Sequence, residues 1–399
     1  QRTIVQSNTK ISASATENGD GGKVTVWADN RTDFNGVIEA KGGANGGNGG
    51  FVETSGKETL SATGDVVVSA PAGNGGTWLL DPSNITISAS VGNTNIDGNF
   101  TSTANDAVVA VSSIESVLNS SGNVIITTGA GNQSGNIYVG STITKSAGTA
   151  SALALRAAAS IFFENGADII STSGALNVTL NSAKNAVLNG SAFDIAVNNF
   201  GGVYLNGANT IQTNGGNIVI GGGSDPSTTP AYAIFISTSI SRTNVPLTGV
   251  AILNSTLDAG GGNITINGKS QQSNLFGKDA DNTAEMNGVL ISGSTIKTDG
   301  AGNIKIVGDG GAFTGSAFNF GSGVKIENST IEAANGAIDI TGKTLRGNSS
   351  RENDILLSGA IIKSTSGAIT LKGTDALGIL FNFFGAANTI GDANTTGDI

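Results

Sequence analysis

One pattern recurs through the second half of the chain and leaves few ways to fold it. Gly-Val-x-apolar, a short polar turn, Thr-apolar and then Gly-x-apolar-x-apolar-Gly appears as GGVYLNGANTIQTNGGNIVIGG (201–222), GVAILNSTLDAGGGNITINGK (249–269), GVLISGSTIKTDGAGNIKIVGD (288–309) and GVKIENSTIEAANGAIDITGK (323–343). A fifth copy, DILLSGAIIKSTSGAITLKG (354–373), keeps the spacing without the leading Gly. The matched positions Ile211, Leu257, Ile296, Ile331 and Ile362 are 46, 39, 35 and 31 residues apart, so the period varies while the core does not. Each copy holds three short in–out alternating stretches between Gly, Asn, Ser and Asp turns, the mark of strands. No copy buries its inward face alone, so copies must stack, each strand pairing in parallel with its equivalent ~4.8 Å away. The expected fold is all-β: a right-handed parallel β-helix, or β-solenoid, with one short helix and loop insertions at one corner. Weaker copies at 135–157 and 167–184 extend it upstream. With roughly 25 residues per minimal rung, residues 130–399 make about ten rungs and a rod of about 45–50 Å.

Composition narrows the function. Gly is 60 of 399 residues, yet only five prolines occur, which excludes collagen. There is no Cys and no His, so Ser-His, Cys-His, zinc-finger and haem-ligating arrangements are excluded; any metal would have to be a hard, oxygen-bound ion, and no metal site or cofactor is expected. A net charge of −10 without a Lys/Arg cluster argues against nucleic acid as a partner. No apolar run is long enough for a membrane-spanning helix, so no membrane insertion is expected. Lack of cysteine suits a long secreted protein that crosses membranes unfolded.

The upstream region alternates in short Gly-bounded strands, GGKVTVWAD (21–29), NGVIEAKGG (35–43), GGFVETSG (49–56), GDVVVSA (64–70) and GGTWLLDPSNITIS (75–88). Residues 104–119 are the one helical candidate, with Val111, Ile114, Val117 and Leu118 on one face, followed by a strand in SGNVIITT (121–128). The expected divisions are an upstream β-helix segment (1–88), a junction with the helix (89–130) and a β-helix with insertions (131–399). The stretch 378–399 repeats the start of a rung and stops within it, so the chain is expected to be a fragment.

GGFVETSG, Leu60 and WLLDPSNITI (78–87), then Ser113-Ile114-Glu115 to Leu118-Asn119 and Gly122-Asn123-Val124, resemble a segment of filamentous-haemagglutinin-like exoproteins of two-partner secretion systems, including high-molecular-weight adhesins. The motifs cover roughly 20–130. The resemblance implies a secreted or bacterial cell-surface β-helical stalk, exported by an outer-membrane transporter partner. It implies binding to a host-cell or matrix surface, or to other bacteria, through a carbohydrate or protein ligand. Haemopexin capture for haem acquisition and a purely structural stalk are the alternatives. Trp78, Leu79 and Leu80 themselves read as a plug inside the helix, with Asp81-Pro82 as a turn.

Charged residues recur at equivalent outward positions, Asp258, Lys297, Glu332 and Lys363 in one column and Lys305 beside Asp339 in another, and are expected to pair as ladders. Enzyme chemistry of the polysaccharide-lyase kind would need carboxylates converging from adjacent rungs. Asp225, Asp279, Asp281 and Asp354, with Lys278 and Arg351, are scattered over separate insertions, so no enzyme activity and no catalytic residue are expected. Twelve Asn-x-Ser/Thr sequons arise largely from composition.

The extra residues of each clear repeat enter at one corner, at 221–248, 268–287, 308–322 and 342–353, lengths of 28, 20, 15 and 12. Stacking would align them as a graded ridge. Tyr232, Phe235, Phe276, Phe313, Phe318 and Phe320 lie in the first three and are the candidate ligand-binding residues, because aromatics anchor interfaces. The competing reading packs them beneath their own loops.

Overall fold

The computed structural model describes residues 1–89, 107–129, 133, 135–183, 201–233, 248–270, 286–311, 321–344, 353–375, 378–381 and 387–391. It is a parallel β-solenoid, in which all strand pairings between rungs are parallel. The chain groups into two compact units, 1–158 with 162–179, and 159–161 with 180–399.

In the second unit each rung passes through three sheets in turn. The first sheet stacks Val203–Asn206, Val250–Leu253, Val289–Ser292, Ser322–Glu327, Asn353–Ser358 and Ile379–Phe381. The second stacks Thr210–Gln212, Thr256–Asp258, Thr295–Thr298, Thr330–Ala333, Ile361–Ser364 and Thr389–Ile390. The third stacks Ile218–Gly222, Ile264–Ser270, Ile304–Gly310, Ile338–Thr344 and Ile369–Gly373. One rung sends Val289 and Ile291, Ile296, and Ile304 and Ile306 inward, and all five are buried. At roughly 1.5–3 kcal/mol per fully buried aliphatic side chain, these columns are the main stabilising term.

Backbone groups at the corners are satisfied by inward hydroxyls. Thr213 Oγ1 donates to the Gly216 carbonyl (2.6 Å), Thr298 Oγ1 to that of Gly262 (2.6 Å) and Ser364 Oγ to that of Gly336 (2.8 Å). A serine ladder runs beside the second sheet: Ser255 N–H donates to Ser294 Oγ and Ser294 N–H to Ser329 Oγ, both at 3.0 Å. The expected charge ladder forms, with Lys297 Nζ 2.9 Å from Asp258 and Lys363 Nζ 3.1 Å from Glu332. Lys305 pairs in register with Asp339, as the repeat alignment requires.

The first unit follows the same plan with one departure. Its third sheet stacks Lys23–Ala28, Phe51–Gly56, Thr77–Leu80, Asn123–Thr127 and Ser151–Arg156. Trp78 is fully buried there, its indole N–H donating to Thr54 Oγ1 (3.0 Å) and its ring edge-on to Phe34. Leu80 is buried with it, whereas Leu79 takes the alternate position and faces outward, so two of the three expected plug residues fill the interior.

The helix spans Val111–Asn119, shorter than the expected 104–119, because Ala107–Ala110 pairs as a strand with both Thr59–Ala62 and Ile85–Ser88. It packs against Asp65–Val67 and against Ile143–Lys145, occupying the place of a second-sheet strand. Nine residues are too few for a stable isolated helix. This one is held by burial of Val111, Ile114, Val117 and Leu118 and by side chains that cap the neighbouring edge. Glu115 accepts the Thr144 N–H (2.7 Å), and Asn119 accepts those of Ser146 and Ala147 (2.7 and 3.0 Å). A helix is about 10 Å across, roughly two strand spacings. The first sheet gains one strand at this level: Ile85–Ser88 wedges between Ala107–Ala110 and Ile137–Val139, out of chain order, and matches the extra thickness.

Candidate functional site: the excursion corner

The third-sheet strands of the second unit do not stop where the apolar alternation stops. Register continues through Asn267↔Val307, Gly268↔Gly308↔Gly342 and Lys269↔Asp309↔Lys343. Residues 268–270, 308–310 and 342–344, assigned from sequence to the insertions, are therefore strand. Within 221–248, Ala231–Ala233 adds to the same ledge by pairing with Gly268–Ser270. The segments that leave the sheet begin after Ser270, Gly310 and Thr344.

A glycine seam closes the neck of each excursion. A Cβ on Gly268, Gly308 or Gly342 would lie 2.1 Å from the Gly288 carbonyl oxygen, 1.9 Å from that of Gly323 and 1.8 Å from that of Asp354. On the returning side a Cβ on Gly249, Gly288 or Gly323 would lie 2.3 Å from the amide nitrogen of Lys269, Asp309 or Lys343. Departing and returning backbones thus cross at the same tight spacing in three successive rungs, and no side chain fits between them. Further bonds pin the necks. Asn287 Oδ1 accepts the Ser322 N–H (2.9 Å), the Gly311 N–H donates to the Met286 carbonyl (3.0 Å), and Thr344 Oγ1 donates to that of Gly321 (3.2 Å).

Beside the seam runs a column of aromatic and charged side chains, Tyr232, Lys269, Asp309 and Lys343, one per rung. Lys269 Nζ lies 2.7 Å from Asp309 Oδ2 and 5.8 Å from the centre of the Tyr232 ring. Burial raises the Tyr232 hydroxyl above its ordinary pKa, opposed by Lys269 and assisted by Asp309. Asp309 Oδ1 is buried with no hydrogen-bond partner among the described residues, and Lys343 is exposed.

Of the six aromatics singled out from sequence, Tyr232 is placed on this ledge, half-buried beneath Lys269. Phe235, Phe276, Phe313, Phe318 and Phe320 lie outside the described residues. Sequence reasoning missed Lys269, Asp309 and Lys343, although Gly-Lys, Gly-Asp and Gly-Lys at one repeat position carried the signal.

The carboxylates weighed for catalysis are committed to backbone where they are described. Asp225 accepts from Ser227 N–H and Oγ (3.0 and 2.6 Å), bonds that lower its pKa. Asp354, fully buried, accepts the N–H groups of Thr344 (3.0 Å), Asp375 (3.0 Å) and Gly378 (3.2 Å). Asp279, Asp281, Lys278 and Arg351 lie outside the described residues. Among the described residues no group of three acidic side chains is placed to hold a metal ion, and no helix is long and apolar enough to cross a membrane. No protein-family model matches the chain, and no curated protein matches it significantly.

Proposed function

We propose that the chain is a segment of a secreted or cell-surface bacterial exoprotein that acts as an adhesin, its solenoid holding a row of excursions against a host or bacterial surface. The observation that supports this reading is the glycine seam. The strand ends on either side of three successive insertions are fixed at one corner, at a repeat of ~4.8 Å from rung to rung. A stalk alone has no need of long insertions, and long loops on one face of a solenoid usually carry function. The ligand class is a carbohydrate or protein of a cell or matrix surface, with haemopexin as the second arm, reached through the carrier protein because the chain has no His for haem.

The test replaces 234–247, 271–285, 312–320 and 345–352 by two-residue turns, leaving every neck residue in place. The solenoid is expected to keep its β circular dichroism and to lose binding to whichever of cell surfaces, matrix proteins or haemopexin the parent binds. Binding unchanged by the replacement rejects the excursion corner as the site, and a parent that binds none of them reduces the segment to a stalk.

A further inference from the structure

The second sheet of the second unit is separated from the excursions in each rung by a first-sheet or a third-sheet strand, the excursions connecting the third sheet to the first. In the rung of Val250 it is bounded by a two-residue turn (254–255) and a five-residue turn (259–263). Its outer face carries two straight columns. One reads Thr210, Thr256, Thr295, Thr330, Ile361, Thr389, and the other Gln212, Asp258, Lys297, Glu332, Lys363. The first column is β-branched and at least partly exposed along its length, with Ile361 40% exposed. Most of the charged side chains are only partly used by their own ladder: Lys297 is 41% exposed, Glu332 43% and Lys363 33%, while Asp258 is 16% exposed.

The order of signs decides what this face fits. Read along the solenoid the ladder is minus, plus, minus, plus, and read backwards it is plus, minus, plus, minus. A second copy laid face to face and antiparallel, about a two-fold axis lying along the strands between Lys297 and Glu332, sets Asp258 against Lys363 of the other copy and Lys297 against its Glu332. The same operation sets Thr295 on Thr330, Thr256 on Ile361 and Thr210 on Thr389. Parallel docking in register would set like charges together, which destabilises. We propose that this face pairs two copies of the chain side by side and antiparallel, the isologous arrangement that sets opposite charges together, whereas a two-fold parallel arrangement sets like charges together. The footprint, six strands of about four residues, is roughly 400 Å² per copy, about half a standard protein interface. Pairing is therefore weak, weakened further by salt, and gains strength where many chains lie together.

The chain has no cysteine, so engineered ones report orientation cleanly. Copies carrying Thr256→Cys are mixed with copies carrying Ile361→Cys at low salt and treated with a bis-maleimide spanning about 10 Å, the spacing of packed sheets. The mixture is expected to give cross-linked dimer. Thr256→Cys alone gives little, because antiparallel pairing separates its two copies by three rungs, about 14 Å along the axis. A second arm makes one ladder all positive (Asp258→Lys with Glu332→Lys) and another all negative (Lys297→Glu with Lys363→Glu). Each variant, folded by circular dichroism, is expected to stay monomeric alone and to associate when the two are mixed. Cross-linking of Thr256→Cys to itself as readily as to Ile361→Cys overturns the orientation. Association of the all-positive variant as strong as the parent's, or a parent that stays monomeric in concentrated low-salt solution, overturns the proposal.

Discussion

Gly308→Ala tests whether the excursion necks are closed by backbone contact. The new Cβ would lie 1.9 Å from the Gly323 oxygen and 2.5 Å from its carbon, so reaching an ordinary contact of 3.4 Å requires the two backbones to part by 1.5 Å. Neither side yields easily. Gly308 is held in register between Gly268 and Gly342, whose own Cβ positions are 2.1 and 1.8 Å from carbonyl oxygens. Overpacking of this kind costs roughly 1–3 kcal/mol, and a neck hydrogen bond broken by the separation adds about 1. Restricting the unfolded chain returns about 0.4–1. The net loss is roughly 1–3.5 kcal/mol, read as a lower urea midpoint in circular dichroism. The control is Gly300→Asn, at a φ of +56° with nothing within 4 Å of its Cβ position. Asn tolerates the left-handed region, so that change should be near neutral. A midpoint for Gly308→Ala within about 0.5 kcal/mol of the parent at unchanged urea slope would refute the closed neck. A reduced slope would place the damage in local opening of rungs.

Ser294→Ala removes the acceptor of the Ser255 N–H and the donor to the Ile252 carbonyl, both at 3.0 Å, and should cost roughly 1–3 kcal/mol in the same urea assay because a buried amide loses its partner. Asp33 accepts the Nε–H of Arg2 (2.7 Å) and of Arg31 (2.8 Å). Burial alone would raise its pKa, but those bonds and the two charges outweigh burial and hold it below the ordinary 3.8. Its folded value is thus depressed, so the stability it contributes is present above pH 3.8 and is lost as pH falls through the folded value. Asp33→Asn should lower the thermal midpoint at neutral pH and flatten its fall in acid; an acid profile identical to the parent's would count against the Arg–Asp–Arg pairing.

Much of the solenoid is legible in the sequence because it stacks in parallel and in register. Residues that touch between rungs are then equivalent positions of the repeat, so aligning copies finds Ile211, Leu257, Ile296, Ile331 and Ile362 as one buried column and Asp258, Lys297, Glu332 and Lys363 as one charged column. The apolar run Trp78-Leu79-Leu80 read as interior filling, and strand alternation buries Trp78 and Leu80 while turning Leu79 outward. Only the tertiary structure decided where the pattern departs from itself. Gly268–Ser270 and its equivalents remain strand after the alternation ends, because their buried side faces another backbone, where glycine fits and apolar side chains do not. Ile85–Ser88 lies beyond Ala107–Ala110, and the helix begins at Val111, because a helix inserted among strands demands an extra strand's thickness that no local residue encodes. Tyr232 meets Lys269 for a related reason: Ala231–Ala233 rejoins the sheet and pairs in register with Gly268–Ser270, a strand addition the repeat alignment does not contain.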